Sequence, residues 1–206
     1  KAAACGTGAY ARIREQFNIP IAEFEGIAEP LGRIAGHTYV ITAAVNTTAM
    51  AIGTGEKPAV ISAIMKYHTT EMARKIVLDA MDIHGGKAVM RGPKNYMASG
   101  YEAGPIGITV EGANILTRSL IIFGQGAFRC HPYVLKEIEA LEQEDADEAL
   151  EQFDQHFFNH VAYTFSNVAR SLVLGISKKF GNSPVAGETE NYYKQINRFS
   201  AAFALL

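Results

Sequence analysis

The stretch IGITVEGANILT at residues 106–117 sets one carboxylate, Glu111, between an apolar run and a glycine. An acid so placed is either the cap of a helix end or a base held in a dry pocket. The apolar neighbours Ile106, Ile108 and Val110 suit the second use, because a carboxylate taken out of water is a stronger base. Gly112 beside it carries no side chain, so a ligand can pass close to the backbone. Other chemistry-bearing residues lead less far. His156 and His160 stand at i, i+4, a spacing that can hold a metal, but no glutamate occupies the metalloprotease position and no third ligand is near. They read as polar-face or buried histidines, and no metal is expected. His68, His84 and His131 share no spacing and read as hydrogen-bonded core or loop residues. Gly124-Gln125-Gly126 has Arg129 where a dinucleotide fingerprint has its third glycine, and no strand precedes it.

The elements that must position Glu111 are helical. Apolar residues Val60, Ile61, Ile64, Met65, Met72, Ile76, Ala80 and Ile83 recur at three- and four-residue spacing, which predicts one long helix from Pro58 to about Ile83. Pro58 suits its first turn and Gly85-Gly86 its stop. A second long helix, rich in Ala, Gly and Thr, is predicted over 21–52. Residues 87–110 carry Gly92, Pro93, Gly100, Gly104 and Pro105, and read as a loop with short helical turns. Helix resumes over 112–123. Further helices are expected from Pro132 to 143, from the acidic EDAD break to 179, and from 189 onward. No alternating run is long enough to read as a strand. The predicted fold is all-α, an antiparallel bundle over 1–140 with an appended helical region over 141–206, where the helices become acidic outside and aromatic inside with Phe153, Phe157, Phe158, Tyr163 and Phe165. The run EQEDADEALE reads as a solvated helix start.

Composition narrows the function classes. The 206 residues are 48% hydrophobic with a formal charge of -2, enough for a core and without the clustered cations that nucleic acid or anionic lipid requires. Cys5 and Cys130 lie far apart, so neither a disulfide framework nor a zinc ribbon is expected, and a reducing, cytoplasmic setting fits. Neither a spanning helix nor a signal peptide is expected. The start at Lys1 and the end in FSAAFALL read as a segment cut at both ends.

Three stretches in order, YARIREQFNIPIAEF at 10–24, DAMDIHGG at 79–86 and ITVEGANILTRSLI at 108–121, resemble the C-terminal helical domain of acyl-CoA dehydrogenases. That family's marks are an Arg-x-x-Phe, a Gln-x-x-Gly-Gly after a long helix, and a Glu-Gly before the last helix. Arg14 with Phe17, Gly85 with Gly86, and Glu111 with Gly112 match them in register over about residues 1–135. CHPYVLKEIEAL and NVARSLVLGISKKF look like the long bacterial fatty acyl-CoA dehydrogenase, which has an extra C-terminal helical region.

The resemblance implies a flavoprotein that converts long-chain fatty acyl-CoA to trans-2-enoyl-CoA in β-oxidation. Its cofactor would be FAD and its acceptor an electron-transfer flavoprotein. It implies Glu111 as the base that removes the α proton and Gly112 as the point of close substrate approach. Arg14 and Phe17, expected on one helix face at i, i+3, would address the FAD pyrophosphate and adenine in a neighbouring subunit's site, within a homodimer or larger homo-oligomer. Gly85 and Gly86 would lie by the same cofactor, together with Asp82. A peripheral association with the bacterial inner membrane is compatible with the resemblance. The segment alone is expected to be inactive, because the family's N-terminal helical and middle β-domains hold much of the flavin and acyl pocket.

Departures from the family pattern are specific. Asp82 replaces the usual Gln, Asn18 the usual Gly after Phe17, Ala113 and Ile115 the usual Thr and Gln, and Glu102-Ala103 the usual Arg-Asp. Two rivals remain: an acyl-CoA oxidase with the same base, and a non-catalytic helical module for assembly or docking.

Overall fold

The computed structural model describes residues 1–177 and 181–205. Among the described residues the chain is all-α apart from one minimal hairpin, and it divides into two compact units, Lys1–Gly124 and Gln125–Leu206. The division falls ahead of the composition shift near residue 140, because the helix Val134–Leu141 packs against Ala146–Ile176 and so belongs with the later helices.

In the first unit, α1 (Ala2–Ile13) ends at Arg14, whose backbone turns extended. Residues Glu15–Gln16 (β1) then pair antiparallel with Ile19–Pro20 (β2) across Phe17 and Asn18. Both turn residues have positive φ, 53° and 66°, the pairing that a two-residue hairpin with right-twisted strands demands. Asn tolerates that conformation well. Arg14 and Phe17 therefore do not share a helix face, as the i, i+3 reading expected; the chain reverses between them.

A 3-10 turn at Ile21–Glu23 leads into α2 (Glu25–Gly53), and a short link brings the chain back as α3 (Ala59–His84). Pro58 and Gly85 stand as its caps, and Gly85 adopts φ 60°. The two helices pack side by side, and the Arg33 guanidinium bridges them, bonding both Asp79 carboxylate oxygens at 2.8 and 3.2 Å. The core is made of Ala11, Ile21, Ile34, Ile76, Ala80, Ile83, Ala88 and Met97. The predicted α3 stripe is thus fully buried only in its last turns; Val60, Ile64, Met65 and Met72 are half-buried and Ile61 is exposed.

After the short α4 (Gly86–Val89), residues Ala98–Thr109 form a continuous helix, α5, where breakers had pointed to a loop. Asn95 Oδ1 accepts the N–H of Met97 and of Ala98 at 2.8 and 2.9 Å, which starts the helix. Packing along α3 then outweighs low intrinsic propensity, with Gly107 lying against Thr70. Pro105 costs only one internal bond on an exposed face. A turn through Val110–Ala113 leads to the short α6 (Asn114–Leu116) and a π-helical stretch, Thr117–Gln125.

The second unit holds α7 (Gly126–Cys130), α8 (Val134–Leu141), α9 (Ala146–Ile176) and α10 (Glu190–Phe203). Asp145 caps α9 by accepting from Asp147 and Glu148 N–H. The predicted end of this helix at Lys179 and the last residue of FSAAFALL lie outside the described residues. The aromatics of α9 are not all inside: Tyr163 and Phe153 are half-buried, but Phe157, Phe158 and Phe165 are exposed. They occupy different helix faces, and the face holding Asn167 and Leu174 is the one buried. Among the described residues, no single helix is long and apolar enough to cross a membrane.

His131 opens α8. Its Nδ1 accepts the N–H groups of Tyr133 and Val134 at 3.3 and 3.2 Å, and its ring lies 4.4 Å from that of His160, which bonds Glu137 at 2.8 Å. Burial lowers the His131 pKa, helped by His160 and opposed by Glu137. Because the unfolded chain then binds more protons than the folded one, stability falls as pH drops from about 6.5 through the lower folded value. Protonation also removes the lone pair that caps α8. Thermal melts between pH 8 and pH 5 are expected to show this loss in the wild type and a flatter profile in His131→Asn, whose side-chain oxygen caps without titrating.

Candidate functional site

Glu111 sits at φ 54° in the turn that follows α5, and Gly112 after it at φ 91°. A non-glycine residue in that region costs on the order of 1–2 kcal/mol, so the surroundings must enforce it. They do so through a polar clamp. Lys66 Nζ, from the first half of α3, donates to the Gly112 carbonyl at 2.6 Å, to Asn114 Oδ1 at 2.6 Å and to the Ile108 carbonyl at 3.4 Å. Asn114, 3% exposed, donates its amide to Thr70 Oγ1 at 3.0 Å and Glu71 Oε1 at 2.9 Å. Thr117, equally buried, donates to the Gly112 carbonyl at 3.2 Å. The Glu111 carboxylate itself makes no hydrogen bond or ion pair among the described residues and is exposed. The dry surround expected from Ile106, Ile108 and Val110 is not formed by them: Ile106 and Val110 are themselves exposed, at 60% and 48%.

A second locus lies at the other end of α3. Arg14, Lys87, Tyr10, Tyr96, Gly6 and Glu15 line a cavity of about 750 Å³. One wall is rigid: His84 is buried, bonds the Ala80 carbonyl through Nδ1 at 2.7 Å, stacks on Tyr10 at 4.2 Å and meets the Tyr96 hydroxyl through Nε2. Since a carbonyl only accepts, Nδ1 carries the hydrogen and the Tyr96 hydroxyl donates to Nε2. Burial, with a smaller contribution from Tyr10, raises the Tyr96 pKa and keeps it a donor. Lys87 stands 5.0 Å above the Tyr10 ring. Arg14 is exposed and has no side-chain hydrogen bond or ion pair among the described residues. Gly85 and Gly86 face open space, Asp82 is exposed, and Phe17 is 88% exposed at the hairpin tip with its ring edge-on to Phe24.

The structure therefore brings Arg14 near the Gly85-Gly86 end and sets Glu111-Gly112 apart from both. At 1.5 Å per residue, the α3 positions that hold each locus are roughly 20–30 Å apart along the helix. Lys66, Thr70, Glu71, Asn114 and Thr117 were not singled out from sequence. The available signal was a lysine and a glutamate on the half-buried face of α3, which hydrophobic periodicity overlooks.

Residues 2–122 match the family described as acyl-CoA dehydrogenase, C-terminal domain. The chain belongs to the acyl-CoA dehydrogenase family. Residues 128–206 match acyl-CoA dehydrogenase, C-terminal, bacterial type, so the two matches meet where the packing divides. A curated relative, 3-(aryl)acrylate reductase of Clostridium sporogenes, is 38% identical over 77 residues, 37% of this chain and 20% of the relative. The chain thus matches about a fifth of that relative's length.

Gly112 carries both a conformational and a steric demand, since an added Cβ would lie 3.2 Å from Thr117 Oγ1. Gly112→Ala is expected to destabilise the folded protein by about 1–3 kcal/mol. Gly36→Ala, in the exposed middle of α2 with nothing near an added Cβ, is expected to stabilise it by about 0.5–1 kcal/mol. Urea midpoints of the two variants against wild type measure both.

Proposed function

We propose that the protein to which this domain belongs catalyses α,β-dehydrogenation of an acyl-CoA thioester, with Glu111 as the base. The observation that carries this reading is the conformation of Glu111: an unpaired carboxylate held at positive φ beside a positive-φ glycine by a buried polar clamp. A cap or a solvated surface acid needs no such support. Removing a proton α to a thioester requires a base placed within hydrogen-bond reach of a very weak C–H acid, and a fixed turn supplies that placement. Gly112 leaves the approach open. Long-chain fatty acyl-CoA is the proposed substrate and trans-2-enoyl-CoA the product.

FAD, when bound, supplies the acceptor for the hydride that leaves Cβ. The described residues fit its phosphate edge. Arg14 is a free planar cation, Lys87 a second cation on the same cavity, and the unobstructed Gly85-Gly86 pair allows close approach. Asp82, an exposed acceptor-only carboxylate, offers phosphate no contact there, and Phe17 offers an exposed ring to an adenine. The separation of the two loci favours their serving different sites in a homo-oligomer, and the exposed Tyr39, Val40, Val45, Met50 and Ile52 on α2 give such an assembly an apolar surface. The proposed acceptor is an electron-transfer flavoprotein, and the proposed location is the cytoplasm, with peripheral contact at the inner membrane.

The reductase relative favours a second direction for the same chemistry. By microscopic reversibility, the carboxyl of Glu111 would then return a proton to the α carbon of an acrylate or its thioester.

The test is anaerobic titration of the FAD-loaded full-length protein with palmitoyl-CoA, followed by flavin absorbance. Bleaching is expected in wild type and a rate about 10²–10⁴-fold lower in Glu111→Gln. Equal bleaching in both would remove Glu111 from the role. Failure of palmitoyl-CoA, with reoxidation of the reduced protein by a 3-arylacrylate, would favour the reductive direction.

A further inference from the structure

The Lys66 ammonium has three hydrogens, and each has a separate acceptor: the Ile108 carbonyl in the last turn of α5, the carbonyl of Gly112, and the side-chain oxygen of Asn114. These acceptors flank Glu111 on both sides. Lys66 makes no ion pair among the described residues, although Glu71 lies one turn and a half along the same helix. Glu71 instead takes the amide of Asn114 and the guanidinium of Arg74, at 2.9 and 3.6 Å. The effect is directional. Asn114 is held with its oxygen toward Lys66 and its nitrogen toward Thr70 and Glu71, so one side chain reads both partners and cannot flip without losing them.

We infer that Lys66 is the positioning residue of the proposed base: its ammonium, acting with Asn114, fixes the left-handed Glu111–Gly112 turn on α3 and leaves the Glu111 carboxylate free. This rests on the reading of Glu111 as the base. Two features separate the arrangement from ordinary loop anchoring. Both carbonyls that Lys66 holds belong to the backbone on either side of one residue, and that residue is in an unfavourable conformation with an unpaired side chain. The arrangement also assigns the two halves of the α3 surface different tasks: Ile76, Ala80 and Ile83 supply packing, while Lys66, Thr70 and Glu71 supply orientation.

The experiment uses the full-length, FAD-loaded protein with four forms: wild type, Lys66→Met, Lys66→Arg and Glu111→Gln. Lys66→Met keeps the apolar stem and removes all three donors. Lys66→Arg keeps the charge but presents a planar fork that cannot serve three divergent acceptors. Flavin content, KM for palmitoyl-CoA, kcat, and amide hydrogen exchange over residues 108–117 are measured for each. The expected result for Lys66→Met is a kcat lowered about 100-fold, with KM and flavin content within about threefold of wild type and faster exchange confined to 108–117. Lys66→Arg is expected to fall between the two, and it decides the matter if Lys66→Met does not fold. A kcat within threefold of wild type in the folded Lys66 variant, or unchanged exchange over 108–117, overturns the inference. Wild-type activity in Glu111→Gln overturns the underlying reading instead, so the two failures are told apart.

Discussion

An α-helix cannot stretch, and the length of α3 is the constraint on which the first unit depends. Its rise of 1.5 Å per residue fixes where everything packed on it can be. The helices α1, α2 and α5 all lie against Ala59–His84. The Glu111 turn is tied to its first half, and the Arg14 cavity opens by its glycine end. Moving either locus would mean sliding a helix by at least a residue, which would break the burial of Ile76, Ala80 and Ile83 together with the fit of Gly107 near Thr70. The separation between proposed base and proposed phosphate site is therefore a property of one rigid element, and loops have little influence on it.

Along that element, two kinds of interaction divide the work. The last turns bury aliphatic side chains, which stabilise without direction. The first half buries polar ones, Asn114 and Thr117, whose bonds specify orientation but contribute little net stability each. Leaving either partner unmet would cost the desolvation of the group that remains, so the clamp holds as a unit. The cost of the positive-φ conformation at Glu111 is of order 1–2 kcal/mol, comparable to the roughly 1–3 kcal/mol that leaving one buried partner of the clamp unmet would cost.

The legible parts of the chain were those where one local signal and one periodic signal agreed. Pro58, the apolar stripe and Gly85 bounded α3 within a residue of its observed ends. Glu111-Gly112 stood out for its residue types, and the structure adds the reason its conformation is held. The misreadings arose where local rules lost. Gly100, Gly104 and Pro105 argued against a helix that Asn95 starts and α3 supports. Arg14 and Phe17 share an i, i+3 spacing, but asparagine's tolerance of the left-handed conformation lets the Phe17-Asn18 turn reverse the chain between them. The clamp was illegible for a different reason. Lys66 lies 48 residues before Asn114, which Thr117 closely follows; all three are polar, and their role exists only once α5 has returned the chain to α3.

The exposed residues give the last step. Glu111 is exposed, and so are Phe17 at 88% and Ile115 at 79%; Glu111 and Phe17 are two of the residues proposed to serve the site. A base for a carbon acid works best out of water, and an aromatic ring held at a hairpin tip gains nothing from solvent. The clamp solves orientation alone. For the proposed role, dryness at Glu111 and cover for Phe17 would have to come from surfaces that meet this unit, whether the rest of the same protein or a second copy: alone, its geometry would hold the proposed base in the solvent least suited to it.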